Sequence, residues 1–427
     1  MAESSHDALR EENQRLRRAV EELSILNDLA RAIGASLNSQ EIMQTIIRRS
    51  LKAVNAEQGV ITLVDRQEEQ PMVTLVRTMM SSSDHQQFHL NQNLVGWMQL
   101  NKKPLISDDV RNDDRFRGVR WDEEILSLLC VPLMVKSELT GILAVFNKKN
   151  AKTFTDDDQR LLAILASQSA QIVENARLYE AEREFIKMQE EVRLAAKIQS
   201  DLLPQSAPSL SGYEIAGKNI PAQVVGGDYF DFIPLDENRI AICLADVSGK
   251  GLPASLLMSN TQATIRSQSF VNATPSECLT RANTLLYRTT SPEKFVTLFY
   301  GILDASSHCF TYSNAGHDSP FFLTSSKFSR LEKGGTVLGI LEPFTYEQDT
   351  VMLASADAIV IYSDGITESF NEGDELFGEE RIASVLQQHR SASASVIVDE
   401  IINAAKKFSG RRQQDDDMTV VVVKRTA

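Results

Sequence analysis

Ala245-Asp246-Val247-Ser248-Gly249-Lys250-Gly251 closes the apolar run 240–247. A short apolar run bounded by glycine reads as a buried strand, and here an aspartate sits at its end. Three further stretches repeat the pattern. Gly226-Gly227-Asp228-Tyr229-Phe230-Asp231 opens a strand expected over 228–234. Ser363-Asp364-Gly365-Ile366-Thr367-Glu368 follows one expected over 358–363. Asp415-Asp416-Asp417-Met418-Thr419 leads into Val420-Val421-Val422-Val423, within a strand over 418–424. Asp beside Gly is ordinary turn chemistry, and any one of these could be only that. Four in one domain weigh differently, because carboxylates converging from separate strand ends repel unless a cation neutralises them. The donors are hard oxygens with no His or Cys among them, which suits Mg2+ or Mn2+ rather than zinc. Two such ions bridged by one carboxylate activate a water and clamp a phosphoryl group for in-line attack. The pattern therefore points to phosphate-ester hydrolysis without a covalent nucleophile.

Outward from these stretches, residues 209–427 read as one body. Further strands are expected at 213–218, 296–304, 309–314 and 320–324, and helices at 253–268, 275–287, 379–388 and 396–408. Strands in runs and helices in pairs predict a helix-flanked β-sandwich rather than a Rossmann-like sheet. No GxGxxG or GxxxxGK[ST] stretch follows a strand, so a nucleotide cofactor has no support.

Upstream lies a helix expected over 156–203, stopped by Pro204 and Pro208. Leu165, Ser169, Ile172, Ala176 and Tyr179 trace one seam; Phe185, Met188, Val192, Ala195, Gln199 and Leu202 trace a second. The step from Tyr179 to Phe185 is one residue short of a heptad. A helix this long with 3.5-residue periodicity pairs with a partner, which predicts a coiled coil and a homodimer. Before it, residues 23–175 give a helix (39–54), strands at 59–64, 72–76, 127–133 and 141–146, a polar stretch at 81–84 and a short helix at 94–98, an α+β domain on one antiparallel sheet. At the start, Leu9, Leu16 and Leu23 recur by sevens with Val20 on the same seam, and Asn13 and Asn27 take seam positions. The fold class expected for the whole is multidomain α+β.

The chain has 427 residues with 58 acids against 44 bases, a net charge of −14. This excess speaks against nucleic acid or an anionic membrane as partner. Residues 1–180 carry 26 acids and 22 bases, residues 181–427 carry 32 and 22, so most of the excess lies with the four acidic stretches. The length allows two to four domains. No apolar run approaches the roughly 18 residues of a membrane span. The opening Met1–Asp7 has neither a basic nor an apolar signal region, so a cytoplasmic protein is expected. Cys130, Cys243, Cys278 and Cys309 are scattered, which argues against a zinc site or a disulfide framework.

Two resemblances add to this reading. Leu94-Val95-Gly96-Trp97, Lys103-Pro104-Leu105 and Asp108-Asp109, with Cys130-Val131-Pro132-Leu133 and Gly141-Ile142-Leu143-Ala144-Val145, resemble a GAF domain, a sensing or dimerising module. Asn147, Lys148, Phe154 and Asp158 are similar to the signature of cyclic-nucleotide-binding members, although its last glutamate is Gln159 here. Phe154 and Asp158 equally suit the start of the next helix with Thr155 as N-cap. Cys130, in a core strand, is expected to be buried rather than an attachment point. The GAF ligand is not named by the residues.

The four acidic stretches, in this order and spacing, resemble the PPM clan of metal-dependent protein phosphatases, and within it the SpoIIE and RsbU-type branch. Ala195-Ala196-Lys197-Ile198-Gln199-Ser200-Asp201-Leu202-Leu203-Pro204 resembles that branch's regulatory helix, and Asn314-Ala315-Gly316-His317 its mid-domain signature. The resemblance implies two Mn2+ or Mg2+ ions, with Asp246 bridging, the Val247 carbonyl as a further ligand, Asp228 acting through water, and Asp364 and Asp416 completing the set. Asp417 stands where the clan often has Asn; Asp231 and Asp415 are weaker candidates. Many relatives place a histidine, proposed as general acid, where this chain has Ser248, which leaves water or Lys250 as proton donor. His317 reads as a structural hydrogen-bonding residue, and Lys218 is a weak stand-in for a phosphate-binding arginine. The implied substrate is a phosphorylated STAS-domain anti-anti-sigma factor in a partner-switching pathway. The implied organisation is an N-terminal helix or coiled coil (1–22), a GAF domain (23–177), a coiled-coil linker and regulatory helix (178–203), and an α-β-β-α sandwich phosphatase domain (204–427). The competing reading is a dimeric scaffold whose phosphatase-like body is silent; loss of acidic ligands would mark it, and none is lost.

Overall fold

The computed structural model describes residues 39–64, 75–79, 92–117, 121, 123–271, 273–325 and 327–426. The heptads of residues 1–22 and the polar stretch 81–84 lie outside the described residues. The chain divides into two compact units, Met1–Lys187 and Met188–Ala427.

The first unit is built on one antiparallel sheet. Its elements are α1 (Ser39–Ala53), β1 (Ala56–Leu63), β2 (Leu75–Met79), α2 (Gln92–Asn101), β3 (Leu105–Ser107), β4 (Leu128–Val135) and β5 (Glu138–Lys148), with strand order β2-β1-β5-β4-β3. β4 and β5 form a hairpin whose two turn residues, Lys136 and Ser137, both have positive φ (48° and 68°). Such a turn matches the right-handed twist of the strands it joins. The alternation of β4 and β5 sends Leu129, Val131, Leu133, Leu143 and Val145 to one face, against Ile42, Met43, Ile46, Ile47 and Leu51 of α1. Leu128, Cys130, Ile142, Ala144 and Phe146 face the other way, against Leu94, Val95 and Met98 of α2. Cys130 is fully buried and its thiol is pushed far above its usual range by that burial.

A long helix, α3 (Asp156–Leu202), follows. Its N-terminus answers the question left by the signature-like residues. The Thr155 amide donates to Asp158 Oδ2 (2.8 Å), the Asp158 amide to Thr155 Oγ1 (3.3 Å), and Lys148 forms an ion pair with the Asp158 carboxylate. Asn147 Nδ2 donates to the Glu124 carbonyl and its Oδ1 accepts from the Leu126 amide. In this structure those residues are occupied in capping the helix and pinning a loop. Leu162, Ala166, Ala170, Val173 and Ala176 of α3 enter the same core as α1, with Ile172 packed against it. The first seam is thus partly consumed by the unit's own core; a heptad-like spacing serves helix-on-sheet packing as well as helix pairing. Past Ala176 the apolar residues change character: Tyr179, Phe185 and Met188 are about 60% exposed (61%, 60% and 63%).

The second unit contains β6 (Tyr213–Ile220), β7 (Tyr229–Pro234), β8 (Arg239–Val247), α4 (Leu252–Ser269), α5 (Pro275–Thr289), β9 (Val296–Asp304), β10 (Cys309–Ala315), β11 (Phe321–Leu323), β12 (Phe328–Arg330), β13 (Gly334–Gly335), β14 (Asp349–Met352), β15 (Ala358–Tyr362), α6 (Asp364–Thr367), α7 (Gly378–Gln388), α8 (Ala394–Ser409) and β16 (Met418–Arg425). One sheet has the order β13-β10-β9-β8-β7, with β14 also paired to β10; the other is β12-β11-β15-β16-β6. All pairings are antiparallel except β10 with β13.

Three buried clusters order these elements. Phe230, Ile242, Leu244 and Phe299 from the first sheet meet Ile359, Ile361, Val421 and Val423 from the second. The opposite side of the first sheet, through Tyr229, Cys243 and Tyr300, packs on Met258 and Ile265 of α4 and Leu279 and Leu286 of α5. The opposite side of the second, through Val360, Val420 and Val422, packs on Ile382 of α7 and Ile397 and Ile401 of α8. The period-2 alternation of each strand feeds two clusters at once, so both faces of each sheet are apolar. Each buried Val, Leu or Ile contributes roughly 1.5–3 kcal/mol. Starts are chemically marked: α5 opens with Pro275 behind a Thr274–Glu277 capping box, α8 with a Ser393 cap.

Candidate metal centre

The two sheets deliver the acids in pairs. In the first, Tyr229 lies opposite Ala245, so Asp228 before β7 and Asp246 at the end of β8 share one edge. In the second, Tyr362 lies opposite Val420, which brings Asp364 after β15 beside Asp416 and Asp417 before β16. Contacts tie the pairs across the sheets. Thr419 Oγ1 donates to Asp228 Oδ2 while accepting from Asn219 Nδ2 (2.7 Å). The Thr419 amide donates to Ser363 Oγ (3.0 Å), which in turn donates to the Asp417 carbonyl (3.0 Å).

Asp417 is the structural anchor of this arrangement. Its Oδ1 accepts from the Ala222 amide (2.8 Å) and its Oδ2 from the amides of Gly227 (2.6 Å) and Asp228 (3.2 Å). The buried carboxylate is thereby spent on the loop that carries Asp228. Glycines permit the approach: a Cβ on Gly226 would fall 2.3 Å from Asp417 Oδ2, and one on Gly365 would fall 2.0 Å from the Asp417 carbonyl.

The remaining acids feel one another. Burial, then the charges of Asp364, Asp416 and Asp417, pushes Asp246 up to about 7. Burial, then Asp416, Glu368 and Asp318, pushes Asp364 up to about 6. Asp228 is raised well above the usual carboxylate range by burial, Asp246 and Asp417, against hydrogen bonds from Thr419 and Ser363. Like charges that raise one another in this way share one small region. Gly227 keeps that region open beside Asp246: a Cβ there would lie 3.1 Å from the Val247 carbonyl oxygen and 3.6 Å from Asp246 Oδ1.

The donor set fits a hard divalent cation in kind: carboxylates and one carbonyl, all oxygen, with mutual repulsion for an ion to relieve. Among the described residues no three His, Cys, Asp or Glu side chains are already grouped to hold an ion by themselves. Asp416 is engaged with Lys250, whose Nζ lies 3.0 Å from Asp416 Oδ2 and donates to the Asp415 carbonyl (2.6 Å). That pairing raises the Lys250 ammonium, with Asp416 first among the causes, and makes it a poor proton donor at neutral pH. A cavity of about 320 Å³ adjoins this side, lined by Lys250, Glu368, Phe370, Gln414, Asp416 and Met418 among others.

Several candidates belong elsewhere. Asp231 is fully buried and accepts from the Tyr229 hydroxyl (2.7 Å), the Phe232 amide (2.8 Å), and Arg266 Nε (2.6 Å) and Nη2 (3.0 Å). It is an ion-pair partner, not a free ligand. Asp415 lies 3.5 Å from Arg412, and Lys218 pairs on the surface with Asp399 at 2.7 Å. His317 does take the structural role: its amide donates to Asn314 Oδ1 (2.8 Å), its carbonyl accepts from Asn314 Nδ2 (2.9 Å), and Nδ1 sits 3.0 Å from Thr297 Oγ1. Burial pushes its ring down to about 4, so it is neutral at physiological pH.

Others were given no role at the site by the sequence. Asp318 and Glu368 add charge around Asp364; Asp318 follows directly on the Asn314–His317 stretch, the one available pointer. Gln199, near the end of α3, donates through Nε2 to the Gly226 carbonyl (2.7 Å) and accepts through Oε1 from the Gly226 amide (3.0 Å). The helix end is thus fastened to the loop bearing Asp228.

Residues 236–426 match the family model for Stage II sporulation protein E (SpoIIE), and residues 36–174 match a GAF domain model. Residues 236–426 thus carry a SpoIIE-type domain, and residues 36–174 a GAF domain. Phosphoserine phosphatase RsbU of Bacillus subtilis is 32% identical over 223 residues, covering 52% of this chain and 66% of that protein. Protein IcfG of Synechocystis sp. is 26% identical over 238 residues, covering 48% of this chain and 37% of that protein. The chain therefore spans under two thirds of each. Among solved structures, the SiaA-PP2C domain of Pseudomonas aeruginosa aligns with a TM-score of 0.49 at 20% identity, covering 57% of this chain and 99% of that one.

Proposed function

We propose that this protein is a metal-dependent phosphatase that removes phosphate from serine or threonine of a partner protein. The observation that carries the reading is the convergence of Asp228, Asp246 and Asp364 with Asp416 at the paired strand ends, tied across the sheets by the Thr419 hydroxyl on Asp228, with oxygen donors only. Asp228, Asp246, Asp364, Asp416 and the Val247 carbonyl are the residues we assign to hold two Mn2+ or Mg2+ ions. When bound, such ions would activate water and stabilise the charge of the transferring phosphoryl group. The chain's own contribution is positional. Asp417 and Gln199 hold the 222–228 loop, Thr419 orients the Asp228 carboxylate, and Ser363 bridges Asp417 and Thr419 at the start of β16. The proton for the departing serine comes from water in this reading, since Lys250 is tied to Asp416.

Finer features belong to the same proposal. The three buried clusters of the second unit support an α-β-β-α sandwich. We place the domain limits at 1–22, 23–177, 178–203 and 204–427. The exposed apolar residues of α3 beyond Ala176 support a coiled-coil homodimer. The substrate assigned by family is a phosphorylated STAS-domain protein in a partner-switching pathway, and the compartment is the cytoplasm; among the described residues no helix is long and apolar enough to cross a membrane. The test is Mn2+-dependent hydrolysis of a phosphoserine protein by wild type, Asp246→Asn and Asp364→Asn. Activity confined to wild type is expected; equal rates in all three refute the metal site.

A further inference from the structure

A dianionic phosphoryl group entering a carboxylate-lined site needs cationic contacts of its own. Several cations of the second unit are committed to carboxylates. Lys250 pairs with Asp416 (3.0 Å), Arg412 with Asp374 (2.6 Å), Arg266 with Asp231 (2.6 Å) and Lys218 with Asp399 (2.7 Å). Lys294 differs. It lies in the turn before β9, and among the described residues no carboxylate forms an ion pair with it.

Its position follows from the sheet. Val247 pairs with Val296 at the end of the β8–β9 ladder. The pairing runs one step further: the Ser248 amide donates to the Phe295 carbonyl (3.0 Å), and the Phe295 amide donates to Ser248 Oγ (2.9 Å). This lays residues 294–295 along the loop that follows Asp246. Lys294 Nζ then donates to the Ser248 carbonyl (3.2 Å). A Cβ at Gly249 would come within 2.6 Å of that nitrogen, and Gly249 has φ +103°. The backbone is therefore bare where the ammonium rests on it. An ammonium has three N–H donors, and the Ser248 carbonyl takes one. The side chain is half-buried, so the remaining donors keep access to solvent. A compact point charge held two to three residues from Asp246 and Val247 is suited to phosphoryl oxygens.

We propose that Lys294 binds the phosphoryl oxygens of the substrate, its ammonium held over Gly249 by the Ser248 carbonyl. The assignment rests on the phosphatase reading above and names a residue that the four acidic stretches did not reveal.

The experiment uses the full-length protein and its Lys294→Met and Lys294→Arg variants. Calorimetry measures Mn2+ affinity of the metal-free proteins, then inorganic phosphate affinity of the Mn2+-loaded proteins; steady-state rates on a phosphoserine peptide accompany both. Expected for Lys294→Met is a loss of phosphate affinity of about tenfold or more, a matching rise in KM, and unchanged Mn2+ affinity. Lys294→Arg should recover most of the phosphate affinity. Phosphate affinity unchanged in Lys294→Met overturns the proposal. So does a parallel fall in Mn2+ affinity, which would make Lys294 a support for the Asp246 loop instead. Absence of Mn2+-dependent hydrolysis in wild type refutes the phosphatase reading, and phosphate binding then still decides the role of Lys294.

Discussion

Replacing Arg266 should destabilise the second unit about twice as much as replacing its partner, Asp231. The Asp231 side chain has no exposure, whereas that of Arg266 is 45% exposed. Arg266 supplies two of the four hydrogen bonds that Asp231 accepts, at 2.6 and 3.0 Å, alongside the Tyr229 hydroxyl and the Phe232 amide. Arg266→Met keeps the apolar stem and strands a buried carboxylate, at a cost of about 3–5 kcal/mol. Exposure at the arginine end lets water approach, which places the expectation near 3 kcal/mol. For a domain of this size that is a fall in Tm of roughly 6–12 °C. Asp231→Asn leaves a guanidinium that solvent already reaches and should cost about half as much. The double variant Asp231→Asn/Arg266→Met should be more stable than Arg266→Met alone, because no buried charge is left unpaired. The assay is urea and thermal unfolding of the full-length variants, with Mn2+ affinity of Asp231→Asn measured alongside. A loss under 1 kcal/mol in Arg266→Met, or a double variant no better than that single one, would refute the reasoning. Loss of Mn2+ binding in Asp231→Asn would restore Asp231 as a ligand.

The metal-free protein should lose stability as pH rises from 5 to 8, because Asp246 and Asp364 titrate near 7 and 6 when folded and near 3.8 when unfolded. Their protonated forms favour the folded state below that range, and the advantage is lost on passing the folded values. Thermal melts in chelator should show the decline and saturating Mn2+ should abolish it; a melting temperature that climbs through this interval in chelator contradicts the clustering. Gln199→Leu should cost about 2 kcal/mol by leaving the Gly226 amide and carbonyl unpaired and should lower phosphatase activity; an unaltered rate would separate the helix end from the site. Inserting one residue between Tyr179 and Phe185 should change the activity of the full-length protein without changing its Mn2+ affinity; an unchanged rate would show that the register of α3 does not govern the site. The exposed Tyr179, Phe185 and Met188 predict a dimer by sedimentation at micromolar concentration, which a monomer would disprove.

Where a strand is long and alternates between two apolar neighbours, its residues mark it in the sequence. The span expected at 296–304 coincides with β9, and β8, β10 and β16 differ by one residue at an end. β12, β13 and β14 contain two to four residues each, too few for any periodicity to register. The short helix α6 begins at Asp364 itself, and a single turn carries no pattern. The four acidic stretches were legible because each follows or precedes an apolar run. The division of labour inside them was not. Asp416 and Asp417 are neighbours of the same type; the family resemblance implies Asp416 as the ligand, but only the backbone amides of a loop about 190 residues away in sequence show what Asp417 does instead. Asp231 likewise looked like part of an acidic stretch until Arg266, 35 residues on, closed over it. The seam through Ile172 and Ala176 was read for helix pairing, yet those residues face a sheet, because a 3.5-residue stripe does not specify what covers it.

The amide at position 199 imitates one rung of a β-ladder, presenting a donor and an acceptor to a single residue's backbone. Its isostere glutamate would keep the acceptor and set a carboxylate oxygen against the Gly226 carbonyl; asparagine is one methylene too short. Because both hydrogen bonds hang on one side chain, they cannot be weakened separately. A displacement of α3 large enough to lose one loses both, so the loop carrying Asp228 would respond to the helix as a latch does, held or released, rather than in proportion to the push.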